Sequence, residues 1–171
     1  KYSCMYADAI RRILIARQKG QNVFVYSSLV KGSGCILFSL LLELFNYSKA
    51  GRNVSDPKNR YALFTSEVIT SIGIKNILNQ FNKPDNKNGD YIQVIIGSKI
   101  ISEGLSFMNI QVEIILTPHF NYSETQQAIA RGIRLNSHKD LIASGFNPTV
   151  EIVQQVAIPN DLNQSIDLFK Y

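Results

Sequence analysis

The sequence predicts an α/β domain with a mostly parallel central sheet flanked by helices. Three observations carry that reading. Short β-branched and aromatic runs, NVFVYS (Asn22–Ser27), RYALFT (Arg60–Thr65), YIQVIIG (Tyr91–Gly97) and QVEIIL (Gln111–Leu116), read as buried strands. Stretches with helical spacing separate them, and alternation of this kind favours a parallel sheet covered on both faces. The unusual turns, 27–34, 97–104 and 117–123, all begin at the carboxyl ends of strands, where such sheets bind ligands.

Taken in order, Ser3–Gln18 is predicted as a helix, with Tyr6, Ile10, Ile13, Leu14 and Arg17 at helical spacing and Gly20 closing it. The first strand leads through the turn SLVKGSG into an apolar helix, Cys35–Phe45. Ser48–Asn59, with Gly51 and Pro57, reads as a surface loop before the second strand. Glu67–Phe81 is helical, with Gly73 a weak point. Asn82–Asp90 is a loop, the nearest thing to a low-complexity tract in the chain. After the third and fourth strands, Glu124–Leu135 is read as a short helix, capped by Ser123 with Gln126 three residues on. Thr149–Ile158 forms a last strand, stopped by Pro159.

The 171 residues suit one domain with a substantial core, and 45% hydrophobic against 18% charged residues excludes a disordered chain. A formal charge of +5 permits an anionic partner such as nucleic acid without establishing one. Cys4 and Cys35 have no metal-ligand spacing and are read as reduced, structural thiols of an intracellular protein. His119 and His138 are the only histidines, so no zinc site is expected. The longest apolar run, Cys35–Phe45, is too short to span a membrane and carries Glu43; no signal peptide is visible. The chain opens on Lys1 rather than Met, so it is expected to be excised from a longer polypeptide.

Chemistry concentrates in four stretches. On the predicted helix after Tyr122, Gln127, Arg131 and Arg134 share one face, opposite Tyr122, Ile129 and Ile133. One amide and two guanidiniums together suit a polyphosphate, because guanidinium stays charged and binds phosphate as a fork. A solvated helix face with two surface arginines is the plainer alternative. KGSGC (Lys31–Cys35) follows a strand and offers backbone amides and a helix N-terminus to phosphate; a flexible turn would look the same. In GSKIISEGLSF (Gly97–Phe107), Ser98, Lys99 and Ser102 offer phosphate or ribose contacts, Glu103 is a lone acid and Gly104 permits close backbone approach. In TPHFN (Thr117–Asn121), His119 and Phe120 either stack on a base or close the core. His138 in NSHKD reads as a helix C-terminal cap and hydrogen-bond link. No Ser/His/Asp arrangement or carboxylate pair stands out. No Gly-Lys-Ser/Thr phosphate loop and no Asp-Glu dipeptide occurs.

Together these stretches resemble the second RecA-like domain of superfamily 2 helicases and translocases, in the branch of large cytoplasmic DNA viruses that includes poxvirus-type early transcription factor ATPases and nucleoside triphosphate phosphohydrolases. FVYSSLVKGSG looks like motif IV, GSKIISEGLSF like motif V, and TPHFNYSETQQAIARGIRLNSH like motif VI, Gln-x-x-Gly-Arg-x-x-Arg, with its approach. IPNDLNQSIDLFKY looks like the segment that follows in this branch. Ala130 replaces the motif VI glycine, and Ser106 stands where many relatives carry Asp.

The resemblance implies a RecA-like three-layer domain over residues 1–171. It implies that Arg131 and Arg134 act as arginine fingers on ATP held by an N-terminal RecA-like domain, with Gln127 facing the nucleotide. Glu103 and Gly104 would couple nucleotide to nucleic acid. Ser27, Ser28, Gly32, Ser33, Ser98 and Lys99 would hold the DNA or RNA backbone. ATP and Mg2+ would be bound mainly by the other domain, so this chain alone is expected to hydrolyse nothing. A viral RNA polymerase is a further implied partner, no membrane is, and the location implied is the host cytoplasm or virion. A non-catalytic nucleic-acid-binding or scaffold module on the same fold is the alternative. A free-standing nucleotide-binding domain is disfavoured by the missing phosphate loop.

Overall fold

The computed structural model describes residues 3–51, 54–65, 71–98, 105–117 and 122–156. Within them the elements follow as α1 (Cys4–Gln18), β1 (Asn22–Ser27), α2 (Cys35–Glu43), β2 (Ser48–Lys49), β3 (Arg60–Phe64), α3 (Ser71–Phe81), a 3₁₀ turn at Pro84–Asn86, β4 (Val94–Gly97), β5 (Ile110–Thr117), α4 (Tyr122–Ile129), α5 (Lys139–Ala143) and β6 (Glu151–Gln154). Six strands form one sheet in the order β2-β3-β4-β1-β5-β6, with every neighbouring pair parallel.

Alternation along β1 builds the three layers. Val23 and Val25 point to one face, where they meet Ile10 and Ile13 of α1 and Phe38 and Leu42 of α2 in one apolar cluster. Phe24 and Tyr26 point to the other, into a cluster with Ile77 and Phe81 of α3, Ala128 and Ile129 of α4, and Phe107. Because both faces are covered, β1 is buried along its whole length, and its sequence reads as a continuous rather than an alternating run. Burying each large side chain of this kind stabilises the fold by about 2 kcal/mol.

The chain leaves β1 toward β2 and β3 on one side, returns at β4, then crosses to β5 and β6 on the other. The direction of winding therefore reverses between β1 and β5, the position at which doubly wound sheets open a crevice. One side-chain and one backbone link close the crevice's base: Ser27 Oγ lies 2.6 Å from Thr117 Oγ1, and the Ser28 amide donates to the Thr117 carbonyl at 3.2 Å.

Several expectations need correction. The helix after Tyr122 ends at Ile129 rather than Leu135. Ala130 still donates to the Gln126 carbonyl, but the Arg131 and Gly132 amides reach back only three residues, to Ala128 and Ile129, and the chain turns away. Gln127, Arg131 and Arg134 thus do not share a helix face, and Ile133, expected on the apolar side, is exposed. A two-residue strand, β2, interrupts the expected loop at 48–59 by pairing with Arg60 and Tyr61. Cys35 is buried as expected, and burial pushes its thiol up to about 12, but Cys4 is exposed and plays no packing role. The last strand is only Glu151–Gln154. The Asn82–Asp90 tract is knit by Asn86. Its side-chain amide donates to the Phe81 and Ile92 carbonyls, and its oxygen accepts from the Tyr91 and Ile92 amides.

Candidate functional site

The turn that follows α4 is built by hydrogen bonds to the segment just before β5. The Phe107 amide donates to the Arg131 carbonyl at 3.2 Å, and the Asn109 amide donates to the Ser137 carbonyl at 2.7 Å. Arg131 Nη1 reaches the Leu105 carbonyl at 3.4 Å, and Arg134 Nη1 donates to Ser106 Oγ at 2.5 Å. The end of the motif V stretch and the motif VI turn are therefore one structural unit, which the sequence did not show. Ser106 orients Arg134 with a neutral hydroxyl rather than a carboxylate, and one nitrogen of the guanidinium fork makes that bond.

The two arginines differ. Arg131 is 8% exposed, and burial together with the neighbouring Arg134 charge lowers its pKa from the usual 12.5. Arg134 is exposed, as is Gln127. The ion pairs among the described residues lie elsewhere, joining Arg11 and Arg12 to Asp8, Arg12 to Glu151 and Arg60 to Asp56. Arg134 therefore has no carboxylate partner among the described residues and is open to solvent.

Ser137 and His138 pin the far end of the turn. Ser137 Oγ donates to the Gly132 carbonyl at 3.2 Å and lies 2.9 Å from His138 Nδ1; His138 Nε2 lies 2.5 Å from the Ile110 carbonyl. A carbonyl only accepts, so Nε2 carries a proton. The link expected of His138 is present, although the residue precedes α5 rather than capping the helix before it.

At the carboxyl edge of the sheet, KGSGC was readable either as a phosphate cradle or as a plain turn, and three of the amides at its end are turned inward. The Gly34, Cys35 and Ile36 amides donate to the carbonyls of Lys31, Leu29 and Val30, so the turn's own backbone occupies them. Ser27 and Ser98 are buried, and the Ser27 hydroxyl is engaged by Thr117 and by the backbone of Leu29. Ser28 is half-buried, whereas Gly32 and Ser33 are exposed. The Ser33 carbonyl accepts from the Tyr6 hydroxyl, which ties the turn to α1. Lys99, Glu103, Gly104, His119, Phe120 and the segment 157–171 lie outside the described residues.

Two residues of the site were not singled out in the sequence. Glu113 is fully buried in β5 beside the Gly132 backbone, and burial raises its pKa from the usual 4.5 to about 8 against a weaker pull from the Gly132 amide. Its signal was a lone acid inside an otherwise apolar strand. Gly132 itself was visible only as a small residue between two arginines.

The profile of the helicase conserved C-terminal domain matches residues 6–136 of this chain. The chain belongs to that family. A putative helicase, 087L, of Invertebrate iridescent virus 3 is 47% identical over 175 residues, covering 100% of this chain and 18% of the viral protein. Nucleoside triphosphatase I of Choristoneura biennis entomopoxvirus is 37% identical across 82% of the chain and 19% of its own length. The chain thus spans less than a quarter of these relatives. The C-terminal part of the Fun30 ATPase domain superimposes over 96% of the chain and 43% of that structure, with a TM-score of 0.67 at 15% identity, which shows a shared fold. The six-stranded parallel sheet between helical layers is the RecA-like architecture of this helicase family domain. Among the described residues no helix is long and apolar enough to cross a membrane.

Proposed function

We propose that this helicase C-terminal domain forms the second RecA-like half of an ATP-dependent nucleic-acid helicase or translocase, serving viral transcription. The observation that carries the reading is the exposed Arg134 guanidinium, oriented by Ser106 without a carboxylate partner among the described residues. Its forked donors fit a phosphate, and in phosphoryl transfer such a group stabilises charge spreading over the transferred oxygens. Arg131, more deeply buried, acts as the second finger and as the buttress of the turn. Gln127 lies toward the nucleotide, and Glu103 and Gly104 couple it to the nucleic acid.

The sequence holds no phosphate loop and no Asp-Glu dipeptide. The residues present fit the outer phosphates of ATP and do not fit Mg2+, so both are held mainly by an N-terminal RecA-like domain of the same polypeptide. Ile133, Leu135 and Ile142, exposed and lining one hollow with Arg134, give that domain an apolar surface to dock on. DNA or RNA runs along the carboxyl edge of the sheet. There Ser28, Gly32 and Ser33 meet its backbone, Lys99 adds a cationic contact, and the buried Ser27 and Ser98 hold the strand ends in place. A viral RNA polymerase is the partner expected from a role in transcription.

The test is ATP hydrolysis by the full-length protein with single-stranded DNA, duplex DNA or RNA added. A motor shows turnover raised about tenfold or more by at least one of them, in line with the charge stabilisation such fingers provide. A scaffold module binds nucleic acid with no change in turnover, and that result would count against the proposal.

A further inference from the structure

Among the described residues, Glu113 is the one acid and Arg131 the one base that are buried, and they flank the same peptide, that of Arg131 and Gly132. A Cβ on Gly132 would stand 2.0 Å from Glu113 Oε1 and 3.1 Å from its Cδ, so the turn's backbone lies directly on the carboxyl. Glu113 is in turn fixed in the sheet. It is paired with Phe24 of β1 on one side and Ile152 of β6 on the other, and it has no solvent exposure. The Gly132 amide faces the carboxyl and pulls on it weakly, and neither oxygen gains a well-formed hydrogen bond among the described residues. An unsatisfied buried carboxyl is costly, and an apolar side chain of the same length would fill the strand without that cost.

Resting on the arginine reading above, we propose that Glu113 is a positioning residue for ATP hydrolysis, a rigid stop in the sheet that sets the depth of the Gly132 backbone and thereby the reach of Arg131 and Arg134. The other pins act at the ends of the turn: Phe107 holds the Arg131 carbonyl, and Ser137 holds the Gly132 carbonyl. Glu113 supports it from beneath, between the two arginines. Gly132 is the residue that permits this approach, since any side chain there collides with the carboxyl.

The experiment uses the full-length protein and measures kcat, the KM for ATP and the melting temperature. Glu113→Gln, which keeps the shape, retains kcat within about twofold. Glu113→Ala, which removes the stop, lowers kcat about tenfold while leaving KM within about twofold, because the other lobe holds the nucleotide. Gly132→Ala lowers kcat further, and adding Glu113→Ala to it restores kcat to the level of the Glu113→Ala single variant, because the colliding carboxyl is gone. Should Glu113→Ala fail to fold, Glu113→Val, which suits a strand but is too short to reach the Gly132 backbone, replaces it with the same expectation. Full kcat in Glu113→Ala, or a double variant no better than Gly132→Ala, overturns the proposal. Arg134→Lys in the same assay separates the two ideas. An impaired Arg134→Lys beside an unimpaired Glu113→Ala refutes the role of Glu113 alone. Unimpaired Arg134→Lys refutes the arginine reading itself.

Discussion

At the scale of single residues, the turn after α4 contains charges placed in opposite environments. Arg134 is exposed and hydrogen-bonded to a neutral serine, whereas Glu113 is buried beneath the same turn. The burial has a thermodynamic consequence. With a pKa raised from 4.5 to about 8, the folded Glu113 keeps a proton that the unfolded chain releases above about 4.5. Between those values the unfolded state binds fewer protons, so stability falls as pH rises, and the contribution is gone above the folded pKa. The melting temperature is therefore expected to decline from pH 5 to pH 8, and Glu113→Gln, which cannot titrate, should flatten that part of the curve. An identical slope in the variant would contradict the buried, protonated assignment. This carboxyl was legible in the sequence only as an acid in an apolar run. Its neighbour could not be read, because Gly132 reaches it through a turn that no local pattern specifies.

At the scale of elements, strand positions were legible because each strand is a continuous apolar run between polar turns. β1 matches its expected bounds, and β5 extends one residue beyond them at each end. Helix ends were less legible. Periodicity carries α4 on to Leu135, but tertiary bonds from Phe107 and Ser137 take the Arg131 and Gly132 carbonyls, and glycine is a poor helix former, so the helix stops early. The two-residue β2 and five-residue α5 are too short to leave a periodic signal. The turn between β1 and α2 was read as a possible phosphate cradle because glycine content does not reveal which amides are occupied. Its glycines have separate jobs. A Cβ on Gly34 would stand 2.2 Å from the Leu29 carbonyl oxygen, a backbone atom that cannot swing aside. Gly32 has φ +59° but open space around it. Gly34→Ala is therefore expected to cost about 1–3 kcal/mol through overpacking. Gly32→Ala should cost about 1 kcal/mol, the penalty for a left-handed residue. Denaturant midpoints compare the two, and equal losses would contradict the tight turn.

At the scale of the whole molecule, the parallel sheet separates two surfaces. The turn after β1, and Ser98 at the end of β4, lie at its carboxyl edge. The arginine turn instead packs beside the amino half of β5, where Gly132 meets Glu113 and His138 meets the Ile110 carbonyl. Glu113 lies four residues before Thr117, so the turn meets β5 about 13 Å short of the carboxyl end at roughly 3.3 Å per residue. A polymer held at one and a triphosphate approached from the other can then be coupled through β5 and the segment before it. The family fold was readable from strand alternation and motif order. The placement of the arginines away from the carboxyl edge was not, because it depends on where α4 stops. The account depends most on Arg134 meeting a triphosphate held by another lobe. The direct test is nucleic-acid-stimulated ATP hydrolysis by the full-length Arg134→Lys protein, with ATP binding measured alongside. A point charge on a shorter reach cannot reproduce the fork, so turnover should fall about 100-fold or more while ATP affinity stays within a few-fold. Turnover equal to that of the unaltered protein would contradict the account.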